Sequence, residues 1–429
     1  MRFESEELMR MTMALRAAGA ALVASLATMS MTAAPAAARP DHSVSHWTGT
    51  WSTSMIAAFP DFFGTPNWSG GFDNHSVRQP VRVSRGGSAL RIRVSNVYGT
   101  TPLRLTGASI GRAGDGASIR PGSLRVVTFG GRRSAVVPAG RQLGSDPVAL
   151  RVDPLERLAV TLYFAAPTGP ATFHPQALAT SYRAAGDHLR DRSGDAYTET
   201  SQSWYYVSGV DVAGPQPRRD SGVVVAFGDS ITDGSFSTPD ANNRYPDELA
   251  ERLVAAGRRL GVVNAGIGGN RILTDADGFG ERATARFGRD VLGQPGVRTV
   301  IVLEGINDIG LGAGTGGVPV TAQQLIDGHR ALIRAAHARG VRAVGATILP
   351  FAGVIYPGYY TERGEAVRDA VNDWIRTSGE YDVVADLDRA LADPADPDRL
   401  SPAFDGGDGL HPNDAGMRAM AETIDLGSL

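Results

Sequence analysis

The sequence predicts two successive architectures, an all-β sandwich followed by an α/β fold built on a parallel sheet. Three observations predict this. Between about Trp47 and Val210, apolar and polar residues alternate in short runs, which is the period of half-buried antiparallel strands. From Val223 onward, continuously apolar runs alternate with stretches of helical period, as expected of strands covered on both faces by helices. Between the two, Gly214-Pro215-Gln216-Pro217-Arg218-Arg219 has the composition of a linker.

In the first region, Gln79 to Val83, Ala89 to Ser95, Ser123 to Thr128, Val148 to Val152 and Arg157 to Phe164 read as strands. Gly, Pro, Asn and Asp separate them, giving the spacing of a β-sandwich. Neither a helical pattern nor an exact repeat occurs there. In the second region, Val223 to Phe227 is a buried strand, Tyr245 to Ala256 a helix, and Val262-Val263 and Thr299 to Leu303 are strands. Helix is then expected over Thr321 to Arg339, strand over Val341 to Leu349, and helix over Glu362 to Arg376. Val383 to Leu387 is extended and Asn413 to Ile424 helical. In such sheets ligands bind beyond the carboxyl ends of the strands, so chemistry is expected just after each one.

Composition narrows the function. A chain of 429 residues with 42% hydrophobic and 20% charged residues suits two folded domains with real cores. The net charge of −3 offers no footprint for nucleic acid or anionic lipid. All 42 basic residues are arginine, so the lysine of a P-loop is absent. Without cysteine, disulfides, thiolate catalysis and zinc–cysteine sites are excluded. Met11 to Ala38 carries Arg16, an apolar run and an Ala36-Ala37-Ala38 end, the pattern of a secretory signal. An uncleaved N-terminal anchor is the alternative for that run. The expected division is a signal segment at 1–38, a sandwich at 39–216 and the α/β domain at 217–429, with an extracellular, bacterial location. No stable membrane association is expected after cleavage, and oligomeric state stays open.

Four positions after strands hold reactive or small residues. Gly228-Asp229-Ser230 follows the first buried strand; its serine suits either a nucleophile or a helix N-cap. Asn264-Ala265-Gly266-Ile267-Gly268-Gly269-Asn270 lets backbone approach a ligand and aim N–H groups at it. In Glu304-Gly305-Ile306-Asn307-Asp308 the asparagine amide suits a developing oxyanion, or an Asx-turn. Of the eight histidines, only His411 has an aspartate, Asp408, three residues upstream, so one turn can supply a base and its orienter. That spacing also fits a surface turn or half of a metal site, but no further ligands lie nearby.

Together these blocks resemble the SGNH (GDSL-type) hydrolase family, from about Val223 to the C-terminus. Ser230 matches the family's nucleophile, Gly269 and Asn307 its oxyanion-hole residues, and Asp408 and His411 its final Asp-x-x-His. Ile231 replaces the leucine of the Gly-Asp-Ser-Leu signature, a volume-conserving change. The resemblance implies a flavodoxin-like three-layer α/β/α domain preceded by a jelly-roll-like sandwich. It also implies catalysis by Ser230, Asp408 and His411, an oxyanion hole of Ser230, Gly269 and Asn307, and no metal or cofactor.

Gly268 to Leu273 and Glu304 to Gly310 are most similar to a branch of secreted esterases associated with xylan degradation. The implied activity is carboxylic ester hydrolysis, foremost as a carbohydrate O-acetylesterase on acetylated polysaccharide. A lipase or broad arylesterase is the alternative, and a non-catalytic carbohydrate-binding protein the third reading. Phe351, Tyr356, Tyr359 and Tyr360 line the cleft or merely pack. Trp47, Trp51, Trp68 and Trp204 stack on sugars or, as expected first, fill the sandwich core.

Overall fold

The computed structural model describes residues 46–60, 67–214, 221–314 and 319–429. The expected signal segment and the boundary at 216/217 lie outside the described residues.

Two large antiparallel sheets, with two short two-stranded ones, make up the first half among the described residues. One orders four strands as His46–Ser52, Val207–Gly214, Ala89–Asn96 and Arg141–Gly144. The other orders six as Glu199–Ser201, Ser181–Ala185, His75–Arg82, Arg157–Phe164, Gly107–Arg112 and Arg125–Val127. The alternation at Ala89–Asn96 sends Leu90, Ile92 and Val94 inward, all fully buried, while Arg91 and Arg93 point the other way. Both sheets contribute to one hydrophobic core, in which Val77, Val160 and Val210 take part. Val148 to Val152 does not form the strand expected of it. Only single bridges, Leu90 to Val148 and Gly87 to Val152, tie it to the sheet. Pro147 and Pro154 flank it and remove ladder donors.

The second half holds a five-stranded parallel sheet. Its strands are β1 (Ser221–Gly228), β2 (Arg259–Gly266), β3 (Val297–Leu303), β4 (Arg342–Ala346) and β5 (Val383–Ala385). Their spatial order is β2-β1-β3-β4-β5, the flavodoxin-like order of a doubly wound sheet. Every residue from Val223 to Phe227 is fully buried, so both faces of β1 are covered. Each of its valines and Phe227 contributes about 1.5–3 kcal/mol by leaving water. The helices are α1 (Ser230–Asp233), α2 (Tyr245–Ala255), α3 (Ala283–Phe287), α4 (Ile306–Gly314), α5 (Ala322–His337), α6 (Glu362–Thr377), α7 (Leu387–Leu391) and α8 (Asp414–Thr423). Helix α2 packs with α8, and α5 with α6. Thr321 and Gln324 form a reciprocal capping box at the start of α5.

The halves have distinct hydrophobic cores, with Ile267 of the second half packed into that of the first, and residues 45–429 make one compact unit. Strand His46–Ser52 lies along β2, the edge of the parallel sheet. Gly49 donates to the Pro295 carbonyl (2.9 Å), and Val262 donates to the Ser84 hydroxyl (2.9 Å). Contact is so close that a Cβ at Gly261 would lie 2.6 Å from the Gly49 carbonyl oxygen. The first half thereby covers an edge strand that would otherwise offer free backbone groups.

Candidate active site

Register places the reactive loops together. Gly228, the last residue of β1, pairs with Gly266 of β2 and with Leu303 of β3. The segments leading to Ser230, Gly269 and Asn307 therefore leave the sheet at one level. A Cβ at Gly228 would meet the Leu303 carbonyl and the Thr232 side chain, so the turn requires glycine.

Ser230 is the first residue of α1, and Asp229, not the serine, caps the helix by accepting from the Ile231 N–H at 2.9 Å. That division leaves the Ser230 hydroxyl free to meet His411. Ser230 Oγ lies 2.8 Å from His411 Nε2, and His411 Nδ1 lies 2.6 Å from Asp408 Oδ2. The other carboxylate oxygen, Asp408 Oδ1, accepts from the Leu410 and His411 N–H groups at 3.0 and 2.8 Å. The three-residue spacing thus folds as a turn and as an orienting contact at once. Burial pushes the Asp408 carboxyl up, but the His411 ring and the two N–H groups outweigh it and hold it at about 2. Asp408 is therefore a carboxylate throughout the neutral range.

Asn307 lies in the first turn of α4. Its Oδ1 accepts from the Tyr359 hydroxyl at 2.9 Å, and its Nδ2 donates to the Asn270 carbonyl at 3.0 Å. One amide hydrogen remains for another acceptor. Gly310, one turn on, makes room for Tyr359, because a Cβ there would overlap its ring. Asp308 accepts from the Ile272 and Leu273 N–H groups at 2.8 and 3.1 Å, clamping the glycine-rich loop to α4. Gly269 has φ +73°, and a Cβ there would overlap the Phe279 ring. Both facts demand glycine.

Beneath the site lies Arg286 of α3, fully buried. It donates to the carbonyls of Gly228 (2.8 Å) and Ala265 (2.7 Å), to Asn270 Oδ1 (2.8 Å) and to Glu304 (3.1 Å). One guanidinium thereby ties the ends of β1, β2 and β3 together. Burial pushes three carboxyls near the strand ends up: Glu304 well above the usual range, Asp229 to about 7 and Asp308 to about 6.

The structure brings together Ser230, Asp408 and His411 and sets Asn307 and Gly269 beside the same strand ends. It separates the aromatic group: Phe351 is buried, Tyr359 holds Asn307, and Tyr356 is exposed and donates to Asp408 Oδ2 at 2.9 Å. Trp51 and Trp204 are buried edge to face at 5.0 Å, Trp68 stacks on Tyr205, and Trp47 lies under Arg91. Arg286 and Phe236 escape sequence reasoning, and Asn270 stands in the glycine-rich block without a role of its own. In a chain whose only basic residue is arginine, one more arginine carries no signal. Phe236 stacks on the His411 ring at 5.2 Å and 7°, but no motif contains it.

Residues 226–419 match the GDSL-like lipase/acylhydrolase family. The C-terminal half is a carboxylic ester hydrolase. The chain is similar to a solved GDSL-like lipase of Bacteroides thetaiotaomicron, at 18% identity over 50% of this chain and 90% of that one, with a TM-score of 0.38. It is also similar to the acetyl xylan esterase AlAXEase, at 22% identity over 47% and 96%, with a TM-score of 0.35. An aryl esterase of M. smegmatis matches at 17% identity over 47% and 95%, with a TM-score of 0.38. No curated protein matches the chain.

Proposed function

We propose that this GDSL-type domain hydrolyses short-chain carboxylic esters through an acyl-enzyme on Ser230, foremost O-acetyl groups of polysaccharide such as xylan. The observation that carries the reading is the unbroken relay from Asp408 through His411 to the Ser230 hydroxyl. His411 Nε2 takes the serine proton as Oγ attacks the ester carbonyl. Asp408 fixes the tautomer and stabilises the imidazolium. The Ser230 N–H, the Gly269 N–H and the free amide hydrogen of Asn307 receive the oxyanion. His411 then protonates the departing alcohol. Water, deprotonated by the same imidazole, releases the acid and restores the serine.

Short acyl groups are favoured because Phe279 packs against Gly269 and crowds the space beside it. A second reading, a broad arylesterase, is supported by the exposed Phe236 and Tyr356 around His411. The described tryptophans of the β-half are buried or partly buried and paired, which supports recognition of substrate at the esterase site itself. Export belongs to the same proposal and rests on the pattern of Met11 to Ala38.

The test compares p-nitrophenyl acetate, butyrate and palmitate with acetate release from acetylated xylan. Acetate is expected to be preferred, and Ser230→Ala to lower kcat by on the order of 10⁴–10⁶. A preference for palmitate overturns the acetylesterase reading. Full activity in Ser230→Ala overturns the mechanism.

A further inference from the structure

We propose that Phe236, with Tyr356 and Ile355, forms the subsite for the leaving alcohol, and that it selects alcohols carrying an apolar ring face. The proposal rests on the esterase reading. Six large apolar side chains are exposed among the described residues: Val126, Val136, Phe236, Ile355, Tyr356 and Val384. The side chains of two of them contact the His411–Asp408 pair, and the backbone of a third is tied to it. Phe236 stacks on the imidazole, Tyr356 donates its hydroxyl to Asp408, and the Ile355 N–H donates to the Asp408 carbonyl at 3.0 Å. Exposed apolar groups gathered at a catalytic pair in this way mark a ligand surface.

Phe236 is also held there at a conformational cost. Its φ is +69°, a left-handed value that aromatic residues rarely adopt. Hydrogen bonds pin the segment on both sides. The Ser235 N–H donates to the Ser230 carbonyl (2.9 Å), and the Thr238 N–H and hydroxyl donate to the Asp414 carboxylate (2.8 and 2.7 Å). Across the contact, Gly406 completes the fit, since a Cβ there would lie 2.8 Å from that of Phe236. An aromatic ring fixed in this way, yet 48% exposed, leaves one face open to a ligand. In the proposed reaction the departing oxygen takes its proton from His411 Nε2, so the alcohol leaves on this side. Its ring then meets Phe236, flanked by Tyr356 and Ile355, which are 41% and 65% exposed.

The experiment measures kcat/KM for benzyl acetate and for a monoacetylated methyl xyloside, each relative to ethyl acetate. The acyl group is constant, and the benzyl and ethyl alcohols differ in the ring far more than in acidity. Phe236→Ala is expected to lower at least one ring-to-ethyl ratio by about tenfold or more. Which ratio falls separates arene from pyranose recognition. Phe236→Tyr, which keeps the flat face, is expected to restore the wild-type ratio. If both ratios stay within twofold of wild type in Phe236→Ala, Phe236 only supports His411 and the proposal is overturned. Should Phe236→Ala fail to fold, Phe236→Leu replaces it with the same expectations. Loss of all three activities in Ser230→Ala tests the parent reading separately.

Discussion

One histidine–aspartate pair sits at each end of helix α1. At its first residue, Ser230 meets His411, which is held by Asp408; at its last, Asp233 meets His174 at 2.9 Å. The partners are chemically the same and the surroundings are not. His411 spends only Nδ1 on its aspartate and turns Nε2 to the Ser230 hydroxyl. His174 is fully buried, with Nδ1 2.8 Å from the Ser54 carbonyl and Nε2 on Asp233, so neither nitrogen is left for a substrate. Burial lowers the affinity of His174 for its proton, but Asp233 and the Ser54 and Gln176 carbonyls outweigh it and raise its pKa. The first pair is arranged to move a proton, the second to keep one. What a His–Asp pair does is thus set by its third partner and by access, and here the second pair ties the β-half to the nucleophile's helix.

Removing the orienter should show the contrast most strongly. Asp408→Asn is expected to lower kcat by about 10⁴ through loss of the correct tautomer, measured on enzyme that remains folded. A loss below tenfold would deny Asp408 that role.

His174→Ala should do the reverse. It strands Asp233 as a buried charge and is expected to cost about 3–5 kcal/mol of stability, while folded enzyme loses far less activity than Asp408→Asn. The pH dependence has a definite sign. Because folding raises the His174 pKa above 6.5, its stabilisation is complete below 6.5 and disappears as pH climbs through the raised value. The stability gap between wild type and His174→Ala should therefore narrow from pH 6 to pH 9, measured by denaturant unfolding. A gap that widens would refute the charged pair.

The smallest effect concerns the amide opposite. Tyr359→Phe frees Asn307 to turn its amide and is expected to lower kcat about tenfold with KM nearly constant, on the scale of one hydrogen bond. In an Asn307→Ala background, itself expected to lose on the order of 10²–10³, the same change should cost almost nothing. Additive losses would assign Tyr359 to packing alone.

Much of the second half is legible in the sequence because its signals are local. Val223 to Phe227 is apolar at every position, and only a strand covered on both faces uses such a run. Asp408 and His411 lie within one turn of each other, so their contact needs no knowledge of the rest of the chain. Val148 to Val152 misleads because period-two patterning says nothing about whether a partner edge is available, and flanking prolines withhold the donors. Tyr359 and Phe351 look alike as aromatics after a strand, yet one orders an amide and the other fills the core. That difference depends on Gly310, 49 residues earlier in the chain.

The sequence by itself determined which residue types stand at the strand ends, and with them the nucleophile, its base and the orienting carboxylate. It also determined the strand and helix periods that bring those ends to one edge. Only the tertiary structure decided how the site is held. Arg286 binds three strand ends, Tyr359 sets the amide of Asn307, His174 grips Asp233 from the other half, and Phe236 covers His411. These contacts join residues far apart in the chain. Hydrogen bonding and burial depend on distance in space, and local sequence patterns carry no record of it.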